Sequence, residues 1–446
     1  MIMISRPEEW PLEYYPDVKE LTENVLSHYA IVVEHDGKHI LFHTISWSLW
    51  VLSKEEYEDV LNNEEFKRLK IVLDSSIDED NVAKEVYLQR SQYDKEFDYK
   101  VINTFVIMTT TACNARCSYC YESGIMPFGM TKKTADNIVK FIKERKNPNK
   151  EAMIRWFGGE PLLRTDIIDH ITDGFIKEGV EFRSDMVTNG YLLTDEVAEK
   201  FDKWKVQKVQ ITIDGTNEVY KAVKNYIYDD EDPLETVIGN IKNLAKKTDT
   251  EISIRVNISY DNIDDVPPLL EYLTKEFADY PSVSIYTSII YQIANDPCEI
   301  IPAWFEDRYF KIREDFPNVR GKYERSVVLK KDYLQNCGAE IGKCITIHPN
   351  GKFSPCEHWD DSDVVGDVVN GMTNRDVCEQ WRCKDGKNIE LCLNNRCPLL
   401  PKCLHSLKCK PQMGCGNEEK MKDKLIREKE SIIKTYEYWR ELAYGK

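Results

Sequence analysis

Cys113-Asn114-Ala115-Arg116-Cys117-Ser118-Tyr119-Cys120 sets three thiols at Cys-x3-Cys-x2-Cys spacing. The apolar run Phe105-Val106-Ile107-Met108 just before it reads as a strand. Three thiolates can hold three irons of a cubane cluster and leave the fourth without a protein ligand. An open position on a metal is where a substrate or cofactor binds. A zinc knuckle, the competing use of such thiols, wants four ligands and Cys-x2-Cys pairs.

Working outward, residues 102 to about 290 alternate strand and helix patterns six times. Strands are expected at 104–109, 152–157, 182–187, 207–213, 252–258 and 283–290. Helices are expected at 131–145, 163–177, 194–204, 233–246 and 264–277, with another helix-like stretch after the last strand. Asp232-Pro233-Leu234-Glu235 opens one of them with a cap, a proline in the first turn and an acid three residues on. Alternation of this kind predicts a parallel sheet with right-handed crossovers and chemistry at the C-terminal strand ends. The cysteine loop follows the first strand, as that rule requires.

Length and charge bound the rest. At 446 residues the chain is too long for one ordinary core. It has 42% hydrophobic and 31% charged residues, the balance of a soluble globular protein. No apolar stretch is long enough for a spanning helix, and Met1 to Pro11 lacks a secretory pattern. A cytoplasmic protein without a membrane partner is expected. The net charge of −17 argues against a nucleic-acid partner. Residues 1–100 hold 22 Asp+Glu against 11 Lys+Arg, a face that would attract a basic peptide or simply be solvated. Fourteen cysteines are many for a compartment where disulfides are rare, and their dense arrays point to metal ligation.

The cysteine loop, with Tyr119 before its last thiol, resembles the cluster loop of radical S-adenosylmethionine (SAM) enzymes. The resemblance implies a partial (β/α)6 barrel over 101–295. It also implies a [4Fe-4S] cluster on Cys113, Cys117 and Cys120, with SAM chelated at the open iron. Other strand ends match the family's pattern. Phe157-Gly158-Gly159-Glu160-Pro161 is similar to the segment that binds the SAM amino group, its glycines allowing close backbone approach. Val187-Thr188-Asn189-Gly190 and Thr212-Ile213-Asp214-Gly215 resemble segments that face SAM. Tyr119, Gly158, Gly159, Glu160, Asn189, Thr212 and Arg255 are the implied cofactor-binding residues. Arg255 and Asn257 share one strand face, as a carboxylate or ribose contact or as an inward Arg–acid pair.

The second cysteine array resembles the SPASM extension of that family. Cys337, then Gly351 and Cys356 with four residues between them, match its first half. Cys397 and Cys403 match its Cys-x5-Cys step, while the steps from Cys392 and to Cys409 are each two residues longer than the pattern. By that resemblance Cys337, Cys344, Cys356 and Cys409 hold one auxiliary [4Fe-4S] cluster, and Cys392, Cys397, Cys403 and Cys415 a second. A rival assignment replaces Cys344 with Cys378 or Cys383 and leaves an open iron for a substrate thiolate. A zinc ribbon over 392–415 would lack any Cys-x2-Cys pair.

Five segments are expected: 1–100, 101–295, a bridge at 296–336 where Trp304 to Phe316 reads as core packing and Cys298 as structural, 337–416, and a solvated helix at 417–446. In the first, two β-rich runs flank Asp36-Gly37, and Ser53 caps a helix. That layout is similar to the winged-helix-like elements that bind leader peptides as an added strand. The alternative is a prefix that only packs on the barrel.

The function implied is a radical SAM maturase that modifies a ribosomally made precursor peptide bearing a leader, with a flavodoxin or ferredoxin type electron donor. An intramolecular thioether from a cysteine sulfur to carbon is the expected product, with Glu357 as a proton acceptor or a plain surface acid. Other radical modifications (a carbon–carbon or carbon–oxygen crosslink, epimerisation, or formylglycine formation in a sulfatase) compete. So does a non-enzymatic electron carrier.

Overall fold

The computed structural model describes residues 1–17, 23–91, 101–290, 303–321, 339, 344–357, 361–381, 389–402 and 417–444. The N-terminal part carries strands β1 (Ile2–Ser5), β2 (Asn24–Leu26), β3 (Ala30–His35), β4 (Lys38–His43), β5 (Ser48–Leu52) and β6 (Val72–Asp74). Helices α1 (Lys54–Glu58), α2 (Glu64–Arg68) and α3 (Glu79–Ser91) follow the sheet strands. The antiparallel sheet runs β1-β5-β4-β3. Asp36 and Gly37, at φ 49° and 67°, close the two-residue hairpin that their sequence predicts. Ser53 and Glu56 form a reciprocal capping box on α1.

The barrel sheet holds β7 (Thr104–Met108), β8 (Ala152–Phe157), β9 (Phe182–Thr188), β10 (Val206–Thr212), β11 (Glu251–Ile258) and β12 (Val283–Ile289), each parallel to the next. Its helices are α4 (Lys132–Arg145), α5 (Thr165–Lys177), α6 (Asp195–Ala198), α7 (Phe201–Trp204), α8 (Asn217–Lys224), α9 (Pro233–Lys247), α10 (Val266–Glu276) and α11 (Ala303–Asp315). Ile154, Trp156, Val209, Ile211, Ile252 and Ile254 pack outward against the helices. The alternate positions therefore face the lumen of an open, partial barrel.

Several features differ from expectation. The helix expected at 194–204 is two short ones, α6 and α7, and α8 was not foreseen at all. The sheet also extends past both ends of the six-strand set. β13 (Arg320–Gly321) pairs parallel to β12, and β14 (Cys344–Ile347) pairs parallel to β7. β15 (Lys352–Ser354), β16 (Gly366–Asp367) and β17 (Gly371–Met372) then continue as an antiparallel meander. In the bridge, Phe305, Tyr309 and Ile312 are buried as core packing predicts.

After α12 (Arg375–Trp381) come α13 (Glu390–Asn394) and α14 (Glu418–Tyr444). α14 is not merely a solvated helix. Ile432 and Tyr436 are buried in one core with Phe42, Trp47 and Val86 of the N-terminal part and with Cys392, Cys397 and Leu400. Residues 1–91 therefore share their main core with the C-terminal cysteine segment. Arg90 ties the two together. Its guanidinium donates to the carbonyls of Thr44 (3.0 Å), Ile45 (2.6 Å) and Pro401 (2.7 Å) and lies over the Trp47 ring.

Candidate active site

The cysteine loop sits where β7 ends, held from two sides. On one side, Gly159 N donates to Thr110 O (3.0 Å) and Glu160 N to Ala112 O (2.9 Å). Gly158 has φ +129°, and a Cβ there would meet Thr110 O at 2.3 Å; one on Gly159 would meet Ala112 O at 2.3 Å. These glycines let the end of β8 close onto the backbone leading into Cys113. The close approach is to this chain's own loop, a use the ligand-approach expectation did not foresee.

On the other side stands α8. Arg116 N donates to Lys224 O (2.8 Å) and Ser118 N to Val223 O (3.3 Å), so the last turn of α8 carries the loop. The Lys224 ammonium, fully buried, lies 2.8 Å from the Asp214 carboxylate. It also donates to the hydroxyls of Thr212 (2.6 Å) and Tyr119 (3.1 Å). Tyr119 donates to Asp214 (2.5 Å) and accepts from the Asn257 side chain (3.3 Å). Burial alone would lower Lys224, but the neighbouring Asp214 and Tyr119 outweigh it and hold the ammonium well above its ordinary value. Burial, then the Asp214 charge, raises Tyr119. Tyr119 and Thr212 are thus engaged by this buried network.

Glu160 is fully buried and accepts from Leu162 N (3.0 Å), the Thr188 hydroxyl (2.7 Å) and Asn189 N (2.8 Å). Burial raises its pKa against those hydrogen bonds. It fixes Asn189, whose side-chain amide donates to Asn114 Oδ1 (2.7 Å) and lies 3.9 Å from Cys113 Sγ. Arg255 stands apart in the lumen, donating to Ser288 Oγ (3.1 Å).

The donors fit a cluster and a polar cofactor. Burial, then the neighbouring Glu160, Cys117 and Cys120, pushes the Cys113 thiol up to about 12, so a metal must displace its proton for it to ligate. Ala115 N donates to the Cys113 sulfur (3.4 Å), as suits a thiolate. Among the described residues no three His, Cys, Asp or Glu side chains converge on one ion. A cubane needs its thiolates spread around it instead. Beside the loop, Asn114 Nδ2 and Asn257 Oδ1 are buried without a partner among the described residues, a donor and an acceptor for a polar ligand.

In the second array Cys337, Cys403, Cys409 and Cys415 lie outside the described residues, as do Cys298 and Cys383. Thr346 pairs with Ser354 and Ile347 with Phe353; continued by two positions, that register sets Cys344 across from Cys356. Tyr121, next to Cys120, feels the charges of Glu357 and Cys356. Cys356 and Glu357 thus lie within charge range of Tyr121, while Cys344 pairs beside Thr104 at the start of β7. Cys356 Sγ lies 3.9 Å from Glu357 Oε2. Cys378 is buried beside Met372. Cys392 hydrogen-bonds Cys397, and that bond holds the Cys397 thiol down at about 7 against burial.

Sequence reading had missed Lys224 and the role of Asp214. Thr216 as a cap and Asn225, in the left-handed conformation just after Lys224, were the available signals for α8.

The comparisons agree with this site. Residues 107–273 match the Radical SAM superfamily model. A probable GTP 3',8-cyclase of Methanococcus maripaludis is 28% identical over 297 residues, covering 61% of this chain and 92% of that protein. The radical SAM cyclopropyl synthase TigE of Paramaledivibacter caminithermalis is 26% identical over 179 residues, 36% of this chain and 37% of that protein. Among solved structures, "Native anSMEcpe with bound AdoMet" is similar at TM-score 0.51 and 18% identity, over 74% of this chain and 99% of that one. No described helix is long and apolar enough to cross a membrane. A Radical SAM domain implies SAM and a [4Fe-4S] cluster, for which Cys113, Cys117 and Cys120 are the candidate ligands. Residues 107–273 carry a Radical SAM domain, and the chain is an enzyme built on the radical SAM α/β fold with a partial barrel-like sheet.

Proposed function

We propose that this enzyme modifies a leader-bearing precursor peptide, forming an intramolecular thioether between a cysteine sulfur and a carbon. The observation that carries this reading is the approach of Cys356 and Glu357 to Tyr121 beside the first cysteine loop, with Cys344 across the strand pair from Cys356. Cys113, Cys117 and Cys120 would hold the first cluster; Cys344 and Cys356, with Cys337 and Cys409, would hold one auxiliary cluster, and Cys392, Cys397, Cys403 and Cys415 the other. The bound groups would supply hydrogen-atom abstraction from the substrate and an acceptor for the electron released when the new bond forms.

The chain's own residues do the rest. Lys224, Asp214 and Tyr119 hold the loop rigid, Glu160 sets Asn189 beside Cys113, and the lumen excludes water and orients the peptide. Glu357 takes the thiol proton as the carbon–sulfur bond forms. The leader adds as a strand at β1, whose Ile2 and Met3 are exposed at the sheet edge. A flavodoxin or ferredoxin type donor supplies the starting electron.

Anaerobic reconstitution with iron and sulfide, then SAM and a reductant, should yield 5′-deoxyadenosine. Co-expression with a Cys-rich peptide encoded nearby should give a product lacking two hydrogens by mass spectrometry. An unchanged mass with solvent deuterium uptake would mean epimerisation instead. The identity to a GTP 3',8-cyclase over 297 residues favours a second reading, a nucleotide substrate; turnover of GTP without peptide would establish it.

A further inference from the structure

Within β8 to β11 the inward strand positions carry a charge opposite to that of the chain. Inward positions of β8 to β11 hold Arg155, Arg183, Lys208 and Arg255 against Asp185 and Glu251, in a protein of net charge −17. The register sets Arg155 beside Asp185 and Asp185 beside Lys208 on adjacent strands. Arg155 reaches Asp185 Oδ2 only at 3.5 Å, and its side chain is 42% exposed to the open lumen. Across the space, Arg255 lies beside Tyr286 on the neighbouring strand. It donates to Ser288 Oγ, while its Nε is buried without a partner among the described residues. The Tyr286 hydroxyl donates to Gln210 Oε1 (2.6 Å), is hydrogen-bonded by the Arg255 guanidinium and lies within range of the Arg155 charge.

A buried guanidinium N–H left without an acceptor is costly, and a protein keeps one where a ligand supplies the acceptor. Two guanidiniums directed at one space are the usual partners of a planar oxyanion. Among these six side chains the surplus is two positive charges, which suits a carboxylate; a nucleoside triphosphate would bring more negative charge than they neutralise. Arg155 precedes Gly158 by three residues, so this set lies about 10 Å down the strand from the loop end.

We propose that Arg155 and Arg255 bind the side-chain carboxylate of an acidic residue in the peptide substrate, placing that residue in the lumen below the first cysteine loop. This rests on the peptide reading above. The test uses the reconstituted full chain and blocked glutamate (N-acetyl-glutamic acid α-amide) against blocked glutamine, by calorimetry, with tripolyphosphate as competitor. Blocked glutamate should bind at least tenfold more tightly than blocked glutamine. Arg155→Gln and Arg255→Gln should each erase that preference, and Arg155→Lys should keep part of it, provided thermal melting shows the variants folded. Equal binding of the two probes, or a preference that both Gln variants retain, overturns the proposal. Displacement of blocked glutamate by tenfold lower tripolyphosphate overturns it in favour of a phosphate site. The mass of the co-expressed peptide and GTP turnover without peptide are read separately on the wild-type enzyme, so failure of the carboxylate site and failure of the peptide reading are distinguishable.

Discussion

Lys224 Nζ stands 2.8 Å from Asp214 beneath the cysteine loop, both side chains withdrawn from water. The pair links the end of α8 to the end of β10, and the loop rests on both. Removing one member strands the other as a buried charge, which costs about 3–5 kcal/mol. Lys224→Met should therefore lower the denaturation midpoint of the iron-free protein. Adding Asp214→Asn should restore much of the loss. A single-variant cost below about 1 kcal/mol would show that the pair is not the support described.

Gly158→Ala should be far more damaging than Gly179→Ala. Both have positive φ, but a Cβ at Gly179 meets open space while one at Gly158 meets Thr110 O at 2.3 Å. The exposed site should cost about 1–2 kcal/mol. The Gly158 variant must also push the cysteine loop away, so iron retained after reconstitution and desalting should fall. Equal iron in the two variants would contradict the close approach.

Acid should weaken the N-terminal core through His43. Burial first, then the nearby Arg90 charge, holds His43 down at about 3 from 6.5, and it shares hydrogen bonds with Ser46 and Ser27. Its depressed pKa contributes stability above pH 6.5 that is lost as pH falls toward 3, at up to about 1.4 kcal/mol per pH unit. Melting between pH 7 and 5 should fall more steeply for the wild type than for His43→Gln. Parallel pH profiles would refute the assignment.

Arg90→Ala leaves three buried carbonyls without their donor, at about 3 kcal/mol. The damage should fall where Thr44 and Pro401 meet. Hydrogen exchange should rise in 38–52 and 389–402 while β7 to β12 stay protected. Uniform exchange across the chain would refute a local clamp.

Much of this was legible in advance. Asp36-Gly37 demanded its hairpin, Asp232-Pro233 its helix start, and the alternating apolar runs their parallel strands, because each depends on a few adjacent residues. The Cys113 to Cys120 motif likewise pointed to the radical SAM fold. The pairing of β14 with β7 was not legible, since Cys344-Ile345-Thr346-Ile347 has no local mark of its distant partner. Nor was the burial of Ile432 and Tyr436 on α14, whose charged sequence looks solvated. Removing residues 1–100 would therefore also strip the core that covers Cys392 and Cys397.

By itself the sequence determined the chemistry at hand: three thiols on a strand end, a Gly-Gly-Glu beside them, and a second thiol array downstream. Only the tertiary structure decided what those residues touch. The glycines serve the loop's own backbone, Tyr119 belongs to a buried Lys224–Asp214 pair, and the N-terminal sheet shares a core with the last cysteines. The reason is physical: spacing and conformational preference are local, whereas burial and charge pairing depend on segments that meet only when the chain has folded.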